Sequence, residues 1–140
     1  MADTIPMTSL SLAAARRVLD AALAHAESVG VMVCIAVVDP SGLPIVAARM
    51  DGAPRLSVDL ARHKAATVVS FNGVPTHFWW PAIAEDDALR HAVPQFPDFM
   101  ILGGGIPLTV AGELVGAIGA SGGSPEQDQQ IAEAAAAILS

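Results

Sequence analysis

The chain has few of the residues that most often announce a chemistry. It carries one cysteine, Cys34, one lysine, Lys64, and no tyrosine. A single cysteine excludes an intrachain disulfide framework and a cysteine metal cluster. Cys34 sits in the apolar run Val-Met-Val-Cys-Ile-Ala-Val-Val, where a small core residue fits better than a nucleophile. The lack of tyrosine removes one common general acid. Basic residues are scarce too, 7 against 14 acidic, for a net charge of −7 with no basic run. That balance argues against nucleic acid and anionic membrane surfaces as partners. No apolar run approaches the ~20 residues of a membrane span. Arg16-Arg17 is followed by Asp20, His25 and Glu27, so the segment reads as an amphipathic helix, not a leader, and the cytoplasm is the expected location.

Charged residues make up only 15% of the chain and apolar ones 53%. So little charge implies that other copies of the chain cover part of the surface, and a homo-oligomer with a small-molecule ligand is expected. The 140 residues fit one domain, 1–140. A domain of that size buries roughly two-thirds of its unfolded surface and needs no disulfide or metal staple.

Leu12, Ala15, Val18, Leu19, Ala22 and Leu23 recur at helical spacing, with Thr8, Ser9 or Ser11 as N-cap and Gly30 as the stop. Residues 31–39 and 43–50 read as strands joined at Pro40-Ser41-Gly42. A helix is expected from about Leu56 to Phe71, and a short one at about residues 82–92 within an irregular segment. Strands are expected at Phe99 to Leu102, Leu108 to Val110 and Glu113 to Ala120, with Ala111-Gly112 as a tight turn. Ser124, Pro125 and Gln127 form a capping-box start for the last helix. This order predicts an α+β sandwich, with a five-stranded antiparallel sheet packed by helices.

Eight of the twelve glycines fall in residues 101–123. The stretch lacks the Gly-Lys-Ser/Thr of a phosphate loop. Gly116, Gly119 and Gly122, spaced by three, do not make a dinucleotide fingerprint. Gly103 to Gly105 are either a packing bend or a set of N–H groups lining a pocket for a ligand oxygen. Arg49 ends a strand and is either a carboxylate clamp or half of an ion pair with an aspartate. Lys64 lies mid-helix among Leu60, Ala61, Ala65 and Ala66. It is either an ordinary exposed lysine or a buried one with a lowered pKa, bound to a ligand or paired with Asp39 or Asp51. His25, His63, His77 and His91 form no His-x-x-x-His or Glu-x-x-His pair, so no zinc site from one helix is expected. Trp79-Trp80 with Phe71, Phe78, Phe96 and Phe99 make either a lid over an apolar ligand or a core or interface plug.

Taken together, several segments resemble the GlcG/HbpS-like proteins, the haem-degrading or DUF336 family. They are Val-Val-Asp39-Pro-Ser-Gly42, Arg49-Met50-Asp51-Gly52-Ala53, Ala61-Arg-His-Lys64-Ala65-Ala-Thr, Gly103-Gly104-Gly105-Ile106-Pro107 and Gly116-Ala-Ile-Gly119-Ala-Ser121-Gly122-Gly123, with Asp128 following. Each motif alone is weak, but their order and spacing agree over about residues 9–139. The resemblance implies a profilin-like fold, a homo-oligomer from dimer to octamer, and haem as cofactor. On that basis the chain is expected to bind a haem-like tetrapyrrole or another flat, carboxylate-bearing molecule. Arg49 and Lys64 would hold carboxylates beside Asp51. Trp79 and the bend Gly103, Gly104, Gly105, Ile106 and Pro107 would form the walls. His63 or His77 would be the candidate iron ligand. The alternative is a cofactor-independent isomerase, lyase or hydrolase acting on a small oxo, hydroxy or aromatic acid. Lys64 and Arg49 would then polarise the substrate, and His63, His77, Asp51 or Glu85 would move the proton. A third class is a partner domain with no pocket.

Overall fold

The computed structural model describes residues 1–140. Helix α1 spans Leu12–Val29, capped by the Ser11 hydroxyl, which accepts from the Ala14 N–H at 3.1 Å. Gly30, at φ +72°, ends it in the left-handed conformation a stop requires. Strands β1 (Cys34–Val38) and β2 (Pro44–Arg49) form a hairpin. In its turn Asp39 Oδ1 accepts from the N–H groups of Ser41 (2.8 Å) and Leu43 (3.0 Å). Helix α2 covers Ser57–Ser70. Strands β3 (Gly105–Val110) and β4 (Glu113–Ser121) meet at Ala111-Gly112, and both turn residues have positive φ, as a two-residue hairpin turn demands. Helix α5 (Pro125–Ala136) starts with the complete capping box of Ser124 and Gln127.

The four strands make one antiparallel sheet in the order β2-β1-β4-β3. The expected fifth strand, Phe99 to Leu102, is loop. Asp98 turns the chain at φ +57°, and the Thr67 hydroxyl on α2 accepts the Met100 N–H at 2.8 Å, so that N–H joins no ladder. The third strand instead begins at Gly105, within the expected bend. The single helix expected at about residues 82–92 is two, α3 (Trp79–Ile83) and α4 (Asp87–Ala92), flanked by 3-10 turns at Thr76–Phe78 and Val93–Gln95. Asp86 makes the break, because its side chain caps Leu89 N–H at 3.0 Å.

Side chains alternate across the sheet. Ile35, Val37, Ile118 and Ala120 face α1 and α5 in the main core, with Val18, Ala22, Ile131 and Ala135. On the opposite face Ala61, Ala65 and Val68 of α2 pack against Cys34, Ala36, Val38 and Ala117. That second layer is thin because β4 offers only Gly119 beneath Ala61. A Cβ at Gly119 would overlap the Ala61 carbonyl oxygen and lie 2.9 Å from the Ala65 nitrogen. Helix α2 covers β1, β4 and β3 and leaves this face of the edge strand β2 open.

Gly119→Ala should therefore push α2 off the sheet and lower stability by about 3 kcal/mol in urea unfolding. Gly112→Ala meets no atom within 4 Å and carries only the strain of φ +78°, so it should lose about 1 kcal/mol. Equal losses at the two positions would show that the α2 contact does not set the spacing.

Candidate functional site

Helix α2 buries the stripe Ser57, Ala61, Lys64, Ala65 and Val68, a spacing that carries the only lysine into the interior. Lys64 is 2% exposed. Its ammonium donates to the Ala120 carbonyl at 3.0 Å and to Asp128 Oδ2 at 3.1 Å. Asp128, in the first turn of α5 and equally buried, accepts from the Gly123 N–H at 2.9 Å with its other oxygen. The pair thus joins α2, β4 and α5 across the glycine loop. Gly104 leaves room for it, since a Cβ there would come within 3.0 Å of both Lys64 Nζ and Asp128 Cβ. Burial lowers the Lys64 pKa, and the charge and hydrogen bond of Asp128 oppose that shift. The partner is neither Asp39 nor Asp51, as the sequence suggested, but an acid some sixty residues downstream. A signal for it was present. Asp128 stands on the apolar stripe Ile131, Ala132 and Ala135, as Lys64 stands on that of Ala61, Ala65 and Val68.

Arg49 points elsewhere. It closes β2 opposite Cys34 and lines a groove of about 230 Å³ on the open face of that strand. The floor is Cys34, Ala36, Pro44, Ala47 and Val58, and Arg62 and Asp59 come from α2. No carboxylate lies within ion-pair distance of Arg49, so its guanidinium is free. Burial pushes the Cys34 thiol up against the opposing pull of Arg49, which keeps it protonated at neutral pH. Ala48 and Arg49 also border a second cavity of about 500 Å³ with Leu23, Glu27, Met32, Met50 and Asp51.

The remaining expected residues are dispersed. His63 Nε2 lies 3.0 Å from Asp98 Oδ1 and 2.9 Å from Arg62 Nη2. A ring nitrogen serves one of these at a time, donating to Asp98 when protonated and accepting from Arg62 when not. His77 borders a cavity with Trp80, Gly103 and Gln129, and its Nδ1 is buried without a partner. Trp79 packs edge-on between Phe71 and Phe99 and borders an aromatic basin of about 580 Å³ with Leu89, Val93 and Phe96. In the glycine bend the N–H of Gly105 donates to Thr76 Oγ1 at 2.8 Å, so it is not turned to a ligand. Ile106 belongs to the main core, and Gly104, Gly105 and Pro107 line no cavity, whereas Gly103 does. Arg49, Lys64, His77 and Trp79 therefore border four different cavities and do not converge on one pocket within a single copy. Sequence reasoning passed over Arg62, Asp59, Ser57 and Ser121, whose partners come together only in three dimensions.

The model of the haem-degrading HbpS-like family matches residues 10–137. The chain belongs to the HbpS-like family. A solved double mutant of HbpS from Streptomyces reticuli is 38% identical, with a TM-score of 0.87 over 99% of this chain and 92% of that one. The structure of a PduOC:heme complex is 33% identical, with a TM-score of 0.82 over 94% of this chain and 96% of that one. The corrinoid adenosyltransferase PduO of Citrobacter freundii is 37% identical over 135 residues, 96% of this chain but 40% of PduO. This HbpS-like chain thus spans two-fifths of that relative's length. None of its helices is long and apolar enough to cross a membrane.

Removing one member of a buried ion pair leaves the other charge uncompensated. Lys64→Met should lower stability by about 3–5 kcal/mol, with partial recovery when combined with Asp128→Asn. The folded-state pKa of Lys64 lies below 10.5. Between that lowered value and 10.5 the unfolded chain binds more protons, so stability should rise with pH across this window. Chemical denaturation of wild type and Lys64→Met over the window tests both points; an unchanged slope in the variant would assign the effect elsewhere.

Proposed function

We propose that this protein binds a haem-like tetrapyrrole, or a similarly flat apolar molecule bearing carboxylates, against the open face of β2. The observation that carries the reading is the free guanidinium of Arg49, which shares one largely apolar groove with Arg62. Flat hydrocarbon suits Ala36, Ala47, Pro44 and Val58, and planar guanidinium groups suit carboxylates. Likeness to a PduOC:heme complex over nearly the whole chain supports it. Lys64, expected to share the carboxylates, is held by Asp128, and Arg62 takes its place in the reading. The alternative of one enzyme site using both Lys64 and Arg49 loses support, because the two residues border separate cavities.

The groove suits one edge of such a group, with two guanidinium groups for its carboxylates and an apolar floor for its flat face. Cys34 offers a sulfur ligand in the floor, whereas His63 and His77 do not line it. When bound, haem supplies an iron centre that these side chains do not. The chain's own residues would hold the carboxylates and exclude water from the apolar face, while burial keeps the Cys34 thiol protonated. A groove of about 230 Å³ covers only part of a macrocycle. A second copy covering the rest accords with the homo-oligomer that the low charge implies, and exposed Val58 in the groove lining supplies apolar surface for such a contact.

Haemin titration of the purified chain should shift the Soret band at stoichiometric ratio. Arg49→Ala and Arg62→Ala should each weaken binding about tenfold or more, and Cys34→Ala should move the band position with less effect on affinity. Absence of any shift in the wild type, or titrations of both arginine variants that match the wild type, would sink the assignment.

A further inference from the structure

Six polar or charged residues are buried: Ser57, Lys64, Thr67, Thr76, Ser121 and Asp128. Four of them are engaged. Lys64 and Asp128 hold each other, Thr67 serves His63 and Met100, and Thr76 accepts from Gly105. Ser57 and Ser121 are each 3% exposed, yet neither hydroxyl has a partner within the chain. The fully buried side-chain atoms without a partner are His77 Nδ1 and Trp79 Nε1, so the two serine hydroxyls stay open to solvent through the cavity they line and are free to bond a guest there. Both line one cavity of about 250 Å³, which Lys64 and Asp128 also border.

Three features give this cavity a chemical preference. Lysine has three N–H donors, and two are used by Ala120 and Asp128, which leaves one. The N-terminal turns of α2 and α5 both reach the cavity, through Leu56 and Ser57 and through Pro125 and Asp128. Their dipoles favour negative charge there, and α2 has no capping side chain of its own. The Asp128 carboxylate is the one acid lining the cavity, and it is already neutralised by Lys64. Asp59 and Glu126, in the same two helical turns, face other cavities. Leu56, Leu60 and Leu102 supply the apolar part of the lining.

We propose that this cavity is a second ligand site, separate from the groove on β2, and that it takes a short-chain monocarboxylate. The Ser57 and Ser121 hydroxyls and the spare Lys64 N–H hold the carboxylate, and the leucines hold the alkyl end. Its volume lies below the ~300–1,000 Å³ of larger small-molecule pockets, which suits an acid of a few carbons.

The test is calorimetric titration of the full chain with sodium butyrate, with butylammonium chloride as the control of opposite charge. Saturable butyrate binding at about 1 mM or tighter is expected, with no binding of the control. The Ser57→Ala/Ser121→Ala pair should weaken butyrate binding about tenfold or more and leave the haemin titration unchanged. Leu102→Trp, at an exposed rim position, provides a second variant that avoids the interior and should also weaken butyrate. No saturable butyrate binding, equal affinity in the variants, or equal binding of butylammonium would overturn the proposal. Loss of haemin affinity in the serine pair would overturn the separateness of the two sites.

Discussion

The structure is organised around one buried interaction, the contact of Lys64 with Asp128. Taking two charges out of water costs several kcal/mol per ion, and mutual attraction offsets this only when the remaining hydrogen-bonding capacity is met. Here the Ala120 carbonyl meets the ammonium, and the Gly123 N–H meets the second carboxylate oxygen. The pair therefore makes demands on its surroundings. It requires α2 close enough to β4 for Nζ to reach a strand carbonyl. It requires α5 to begin where its first turn can present an acid. It also requires the loop between β4 and α5 to turn an N–H inward.

The glycines follow from those demands. A side chain at Gly104 would meet the ammonium, one at Gly105 would lie 2.6 Å from the Lys64 carbonyl oxygen, and one at Gly119 would strike the helix backbone. The three positions surround one segment of α2, so the glycine-rich stretch is a packing surface cut to fit a helix and its lysine. Gly116 and Gly122 answer to a second close approach, because a side chain at either would meet the Val38 or Met32 carbonyl oxygen beside β1.

Local chemistry was legible in the sequence wherever a feature depends on neighbours in the chain. Ser124, Pro125 and Gln127 gave the start of α5, Gly30 the end of α1, and Ala111-Gly112 the β3–β4 turn, because caps and turns are short-range devices. Phe99 to Leu102 misled for the converse reason. Its apolar residues fit a strand, but the Thr67 hydroxyl from a distant helix claims the Met100 N–H. The site was less legible still. Arg49 and Lys64 lie fifteen positions apart and share the right chemistry, yet strand and helix turn them to different cavities. Arg62 and Ser57, which join them there, look in sequence like ordinary helix-surface residues.

The position of α2 explains why the two cavities exist side by side. The helix is too narrow to cover four strands, so it settles over β1, β4 and β3 and leaves β2 bare. Its Val58, Asp59 and Arg62 then face the bare strand, whereas Ser57, Leu60 and Lys64 face the glycine loop. One helix is thus the shared wall of both. A ligand on one side can influence the other only by moving that wall between states of different affinity. Contact of Ala61 with Gly119 leaves no room for inward movement, and outward movement would stretch the Lys64–Asp128 pair. Movement of α2 in either direction thus carries a cost, and the geometry favours independent occupancy of the two proposed sites.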